Sequence, residues 1–492
     1  MFFEMTEPSE PWSRKEKFTD FLKLITVEPT MILYMMAFMT TTVVEQAFFV
    51  YKACTVDHNL NKTVCDNISD EKYSDINKEV QITVSTFHLW NDVGGHVGQI
   101  ILAFFMGAWS DKRGRKITLL LGLIGKLYYS FMVVINALQP TWPLMYVVYT
   151  ATIPMAFTGA DVAIFSAAFS YIADISNQES RTMRVTILEV CYLATMPTGI
   201  ALGSYLFRKV VNQSYSIMFT INCTLLVLAI FYSLIRLKWR TNPRQRPLRE
   251  ASNIFLDFFD YNHVIKTART LYKKRPKNRR RYLIMLIIMM AFYTFQRDEK
   301  NIMYLYVKFV FKWDYVKKFS DFKIFQSALQ DLFLLLMVPL LSRVLGWRDT
   351  FIVMIGALSH SAARLFYATA DSDLYFYIGG VFAAFGPIVA PVLRSMVSKM
   401  VSNTEKGKAF SVLSVADNAI PIVSGTLYSL LYNHTLHDHP NAFFFLTIAT
   451  QMSVFIMIIY IHFNTKDEDL IHETEELARS SIENEQEASQ QT

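Results

Sequence analysis

Ile101-Leu-Ala-Phe-Phe-Met-Gly107-Ala-Trp-Ser-Asp111-Lys112-Arg113-Gly114-Arg115-Lys116-Ile-Thr-Leu-Leu-Leu-Gly-Leu123 sets two apolar runs on either side of one short basic turn. The runs extend over 83–108 and 117–137, each reaching the roughly 20 residues that a helix needs to cross a hydrocarbon core about 30 Å thick. Only helices and closed barrels satisfy their backbone in lipid; barrel strands would alternate polar and apolar residues, whereas these runs are continuous. Lys112, Arg113, Arg115 and Lys116 give the turn the positive bias of a cytoplasmic connection. The stretch therefore predicts two antiparallel membrane helices joined on the inner side.

The same criteria applied outward give twelve spans, at 30–50, 83–108, 117–137, 143–173, 185–206, 216–236, 283–308, 324–342, 350–370, 375–397, 409–431 and 442–463. Composition agrees: of 492 residues, 52% are hydrophobic and only 18% charged, against roughly 25% charged in soluble domains. The net charge of +6 comes from short clusters between apolar runs rather than from a basic face, so no nucleic-acid partner is expected. Four cysteines without zinc-like spacing predict neither a disulfide framework nor a metal centre, and no cofactor is expected. Polar Met1–Lys23 leads directly into a full-length span, without a separate cleavable signal.

Between spans six and seven, Arg236–Arg281 carries fifteen Lys/Arg against Glu250, Asp257 and Asp260, while the 3–4, 9–10 and 11–12 connections carry none. Both termini are therefore expected in the cytoplasm. The glycosylation triplets at Asn61, Asn67, Asn212 and Asn433 all fall outside under this topology, whereas the one at Asn222 falls within span six. The organisation follows: a cytoplasmic tail (1–29), a six-helix half (30–236), a basic linker (237–282), a second six-helix half (283–463) and an acidic, disordered cytoplasmic tail (464–492). The linker reads either as a solvated connection or, through Phe255, Phe258 and Phe259 beside Lys266 and Arg269, as an amphipathic helix on anionic lipid.

Gly107, Asp111, Lys112, Gly114, Arg115 and Lys116 match every fixed position of the G-x-x-x-D-[RK]-x-G-R-[RK] signature, and the chain in this respect resembles the major facilitator superfamily. The resemblance implies a conformational gate in which Gly114 makes the tight turn, Gly107 admits a neighbouring helix and Asp111 meets the N-terminus of span eleven. The chain is also similar to the proton-coupled folate transporter family of solute carriers. That likeness rests on Ile25–Pro29, Tyr51–Cys54, Val64–Asp66, Ser180–Arg184, Leu305–Val307, Lys312-Trp313, Arg394–Lys399 and Glu405–Gly407. Against the folate-transporting members, Tyr282–Phe311 contains no histidine, and Lys312 stands beside Trp313 where they have a cysteine. Cys54 and Cys65, the two cysteines outside the spans, are expected to pair locally.

An ionisable group at the bilayer centre costs from about 2.5 to more than 10 kcal/mol, so each one must face water or a partner. By the family likeness, Asp161 in span four and Glu189 in span five are the proton-coupling acids, and Arg394 in span ten binds substrate. On the residues alone, Asp161 reads equally as an interhelical hydrogen bond, Glu189 as an ion pair with a nearby arginine, and Arg394 as a side chain snorkelling to the inner interface. Span seven carries Arg297, Asp298, Glu299 and Lys300 in its outer half: either the helix is interrupted in the membrane, as at transporter substrate sites, or a loop begins there. Arg297 and Asp298 are taken as substrate-binding on the first reading. His88, Asp92 and His96 share a face of span two, as substrate or proton ligands or as solvated residues.

The expectation is an all-α membrane protein of twelve helices, acting as a proton-coupled symporter that imports an anionic small molecule, folate-like or related, by alternating access. Alternatives are export of a muropeptide, cyclic dinucleotide or other solute from lysosome to cytosol, and a receptor or scaffold without transport. The partners are a small-molecule anion, the proton and the lipid bilayer; the chain is expected to be a monomer or loose homo-oligomer. It belongs in the plasma membrane or the lysosomal membrane. No arrangement of nucleophile, base and oxyanion donors suggests an enzyme.

Overall fold

The computed structural model describes residues 25–176, 178–241, 245–250, 257–259, 278–313, 317–401 and 406–465, and helices lie over all twelve predicted segments. The first set comprises α1 (Glu28–Lys52), α2 (Lys62–Asp66, in a loop), α3 (Ser74–Arg113), α4 (Arg115–Leu138), α5 (Ile153–Ala156), α6 (Ala160–Ile175), α7 (Gln178–Tyr205) and α8 (Tyr215–Arg236). The second comprises α9 (Arg279–Thr294), α10 (Glu299–Val310), α11 (Lys317–Pro339), α12 (Asp349–Thr369), α13 (Asp373–Ala383), α14 (Val389–Met400), α15 (Lys406–Thr435) and α16 (Ala442–Asn464). Eight helical stretches are long and apolar enough by themselves to cross a membrane, and the bent pair Ser74–Ala103 and Phe105–Arg113 would make a ninth. The stretches at α9–α10 and α11 carry more charge, and α15 more small polar residues.

Local chemistry sets the helix ends and breaks. α1 begins with Pro29 in its first turn, where the missing N–H costs nothing, and the Glu28 carboxylate accepts the Thr26 backbone N–H at 2.6 Å. α5 and α6 are separated at Gly159, whose φ of +77° is open to glycine. α13 gives way to a short turn at Gly386–Ile388 containing Pro387. α9 runs into α10 through a tighter turn at Phe295–Asp298, so helix continues from Arg279 to Val310. The break lies about 20 Å along from Tyr282 at 1.5 Å per residue, short of the roughly 30 Å of a hydrocarbon core.

In the first set α1 packs on α7 and α8, and α4 on α6 and α8; in the second α12 packs on α13 and α16, and α9 on α14, α15 and α16. The sets meet along α3–α15 and α7–α11. Call the end with Lys112–Lys116 the basic end and the opposite one the far end. At the far end one apolar core joins both sets, running from Phe48, Phe49 and Phe87 to Tyr304, Tyr428 and Phe443. Toward the basic end the second set keeps a separate core of Leu283, Val353, Leu393 and Ile458. Phe231, Ile235 and Phe463, among many large apolar side chains, are left on the outer surface, as expected where the surroundings are lipid.

At the far end Cys54 and Cys65 form the expected disulfide, with Cα atoms 5.9 Å apart. Asn61, Asn67 and Asn212 are exposed there. Asn433 is not available to a glycan: its amide nitrogen donates to Thr86 Oγ1 at 3.2 Å across the two sets, and its oxygen is buried. The sequence placed it correctly in a far-end segment but could not show that α15 runs on through Thr435. Closing the Cys54–Cys65 loop contributes about 3 kcal/mol. Cys54→Ser should therefore lower the melting temperature in detergent by several degrees, and an unchanged melt would mean that other contacts hold the loop.

Candidate functional site

The basic turn is built as its residue types suggest. Gly114 has a φ of +117°, and a Cβ there would lie 2.7 Å from the Trp239 carbonyl oxygen, so both conformation and space require glycine. Lys116 donates to the Leu234 and Leu237 carbonyls at 2.7 and 2.8 Å and lies 4.1 Å over the Trp239 ring. A cation thus caps the C-terminal end of α8, where the helix dipole favours it. Arg115 pairs with Asp111 one turn back and with Asp174 at 3.1 Å. The second set repeats this with the charges exchanged, Lys399 of α14 meeting Asp349 of α12 at 2.6 Å.

Two readings of the turn change. A Cβ at Gly107 would meet nothing within 4 Å among the described residues, so no helix presses on it in this conformation. The linker is not simply solvated either. Asp257 takes Arg113 through both oxygens, at 2.6 and 2.8 Å, and Lys112 at 2.5 Å, while Phe258 and Phe259 pack on Trp109 and Phe105. The lipid-bound helix proposed around Lys266 lies outside the described residues.

Charges of both sets converge between the two halves of the bundle. Glu189 of α7 and Arg394 of α14 are exposed there and within electrostatic reach of each other. Arg394 pairs with Asp417 of α15 at 3.2 Å, which excludes a snorkelling arginine, and Thr294 donates to the same carboxylate at 2.8 Å. Tyr192 of α7 senses Arg297, Asp331, Arg394 and Glu189 together. Glu189 takes no arginine of its own segment as ion-pair partner among the described residues, Arg184 being drawn to Glu28 at 3.6 Å. Asp161 is paired with Lys126 at 2.7 Å and accepts the Tyr34 hydroxyl, so it is both a packing contact and half of an ion pair. Lys126 of the first set and Lys300 of the second approach one ring, Phe38, at 5.6 and 5.9 Å.

Other predicted site residues are elsewhere. His88, Asp92 and Asp298 are buried in the far-end contact between the sets, not in the exposed middle with Arg297 and Arg394. Glu299 and Arg364 form a buried ion pair at 3.1 Å. The groove of about 400 Å³ lined by Leu33, Leu228, Phe231, Tyr232, Ile235 and Arg236 contains none of these central charges. Lys126 was missed, although a lysine midway along span three obeys the rule that singled out the other intramembrane charges. The role of Phe38 had no sequence signal, since phenylalanine is abundant throughout.

Residues 30–359 match the family model described as Major Facilitator Superfamily. A Drosophila melanogaster protein named a probable peptidoglycan muropeptide transporter is 22% identical over 86% of this chain and 82% of its own. The lysosomal proton-coupled steroid conjugate and bile acid symporter of Gallus gallus is 23% identical over 84% of this chain and 89% of its own. The proton-coupled folate transporter of Bos taurus is 24% identical over 76% and 78%. Among solved structures, the human organic anion transporter MFSD10 superposes with a TM-score of 0.61 at 14% identity, over 88% of this chain and 97% of that one. The partially occluded inward-open xylose transporter of E. coli gives 0.59 at 13%, over 89% and 98%. These likenesses establish the fold.

The docked linker gives a direct test. Its hydrogen bonds from Arg113, then from Lys112, hold the Asp257 carboxyl well below the usual carboxylate range. A carboxyl depressed in the docked state adds docking stability that is present above its ordinary value and lost only as pH falls through the depressed one. Docking should therefore persist from neutral pH down past about pH 4. Asp257→Asn should speed tryptic cleavage within 260–277 several-fold at neutral pH; unchanged cleavage would show that Phe258 and Phe259 suffice.

Proposed function

The chain belongs to the major facilitator superfamily of membrane transporters, and from that premise we propose that it is a proton-coupled symporter carrying an organic anion into the cytoplasm by alternating access. The observation that carries this reading is the pair Glu189 and Arg394, both exposed between the two sets and within electrostatic reach of each other, with Arg394 paired to Asp417. Arginine offers planar donors matched to a carboxylate or phosphate. With Glu189 ionised, that arginine is balanced by Glu189 and Asp417; a proton on Glu189 removes one rival and leaves positive charge for the substrate. Arg297, and Lys126 with Lys300 around Phe38, extend the positive lining. Asp161 tunes this lining through Lys126.

The basic end faces the cytoplasm on this reading, because Lys112–Lys116 and Arg279–Arg281 cluster there. The far end faces an acidic space, extracellular or lysosomal, so the proton enters where it is abundant and leaves where it is scarce. Twelve crossings in two six-helix halves that rock about the site complete the cycle. A difference of about 1.4 kcal/mol in affinity between the two conformations shifts their balance tenfold, a modest demand on one proton. The anion class follows from the positive lining and is supported by relatives named for folate and for steroid conjugates and bile acids.

Uptake of folates, bile-acid conjugates and muropeptides should be screened in expressing cells across external pH, with acid stimulation the expected result. A flat profile for every transported solute would remove the coupling. Glu189→Gln should abolish acid stimulation yet spare exchange, whereas Arg394→Gln should cut anion transport about tenfold or more. Retained acid stimulation in the first variant would reassign the proton site.

A further inference from the structure

The far-end contact between α3 and α15 brings two carboxyl groups of opposite sets into one dry place. Asp92 of α3 is 8% exposed and lies against Gly425 of α15, where a Cβ would stand 3.1 Å from the Asp92 Cγ. Asp298, at the break between α9 and α10, is 7% exposed and accepts the hydroxyl of Ser424, the residue before Gly425. The two carboxyl groups act on each other electrostatically. Among the described residues no hydrogen bond serves the Asp92 carboxyl group, since the 2.8 Å contact with His96 Nδ1 uses the Asp92 backbone oxygen. One turn outward on the same face His88, 2% exposed against Phe49 and Phe87, leaves its Nε2 buried and without a partner.

The charged and titratable groups around the pair can be named. α3 brings His88 and His96, the break brings Arg297, and α10 brings Lys300, whose charge reaches Asp92, Asp298 and both histidines. α6 brings Asp161, acting through His96; α15 brings Tyr428 near Asp298; α1 brings Glu45, which also senses Lys300. Lys300 is thus the cation common to the pair.

We propose that Asp92 and Asp298 form a proton-binding site shared by the two sets and filled when the far face closes. Two ionised carboxylates in a water-poor contact repel strongly, whereas one proton leaves a single negative charge that Lys300 balances. When the far face opens, α3 leaves α15, both carboxylates are hydrated, and the repulsion that called for the proton falls. The proton comes from water on the far side and sits on one carboxylate oxygen. It leaves toward the basic end, where His96 is one turn further along α3. Closure of the far face and uptake of one proton are then one event, and acid on the far side favours closure. This deepens the symporter reading and rests on it, because it says where the gate itself takes a proton.

Spin labels at Lys62→Cys and Asp438→Cys, both exposed at the far end of opposite sets, report closure as an inter-label distance. The full chain would be used in lipid nanodiscs, with the free Cys191 and Cys223 changed to serine and no substrate present. Between about pH 7.5 and about pH 5.5 the ratio of closed to open populations should rise about tenfold. Asp92→Asn and Asp298→Asn, each neutral at every pH, should each hold a mainly closed population that changes less than about twofold over the same range. Asp92→Glu should restore the dependence. A wild-type pH response in both asparagine variants, or no response in the unaltered pair, overturns the proposal. Substrate plays no part in this measurement, so a flat uptake profile beside a pH-dependent distance would sink the symporter reading and leave the proton site standing.

Discussion

Glu299 and Arg364 hold the second half of the molecule around its broken helix. At 3.1 Å and nearly sealed from solvent, the pair is ringed by further contacts: Arg364 donates to His360 Nδ1 at 2.8 Å and to Gln296 at 3.0 Å, and Thr447 donates to Glu299. Four elements, the break, α10, α12 and α16, are tied at one point. Removing one partner of such a pair leaves an uncompensated buried charge, a loss of about 3–5 kcal/mol. The pair is buried and locked by its partners. Its service is positional, because Arg297 and Asp298 immediately precede Glu299 and are aimed by it, one into the exposed middle and the other into the far-end contact.

From that anchor the asymmetry of the two ends follows. At the far end aromatic side chains of both sets merge into one core, and Gln81 with Tyr432, Ser85 with Ser429 and Thr86 with Asn433 add hydrogen bonds across it. At the basic end the second set has its own core, and among the described residues Arg115 pairs with Asp111 and Asp174 while Lys116 caps α8, all within the first set. Among the described residues the molecule is therefore joined at one end by apolar burial and hydrogen bonds, while at the other Arg115, Lys116 and Lys399 find partners within their own set. A transporter that opens its two ends in turn needs such self-sufficiency, since charges with partners in their own half lose nothing when the halves part.

Much of this was legible beforehand because lipid is a harsh solvent. The cost of bare backbone and bare charge leaves few solutions, so apolar runs located the helices, though those from Ser74, Gln178 and Lys317 begin seven to nine residues before the apolar run, and the basic turn fitted its signature at every fixed position. The disulfide was readable because only two cysteines stand outside the spans. Partner choice was less accessible. Asp161 read as hydrogen bond or functional acid, and its ion pair with Lys126 joins helices whose register no local pattern sets. Glu189 was expected near arginines of its own segment, yet the charge within its electrostatic reach is Arg394 from the other set, more than two hundred residues away.

The sequence by itself determined which segments are helices and which side chains carry charge into the apolar interior, because those properties depend on length and composition; the breaks at Gly159 and at Gly386–Ile388 came only with the structure. Tertiary structure alone decided which charges are dry and which are exposed. It brought Asp92 and Asp298, and Arg394 and Glu189, within electrostatic reach across the two sets, and laid Asp257 on Arg113, since burial and pairing depend on how distant helices cross.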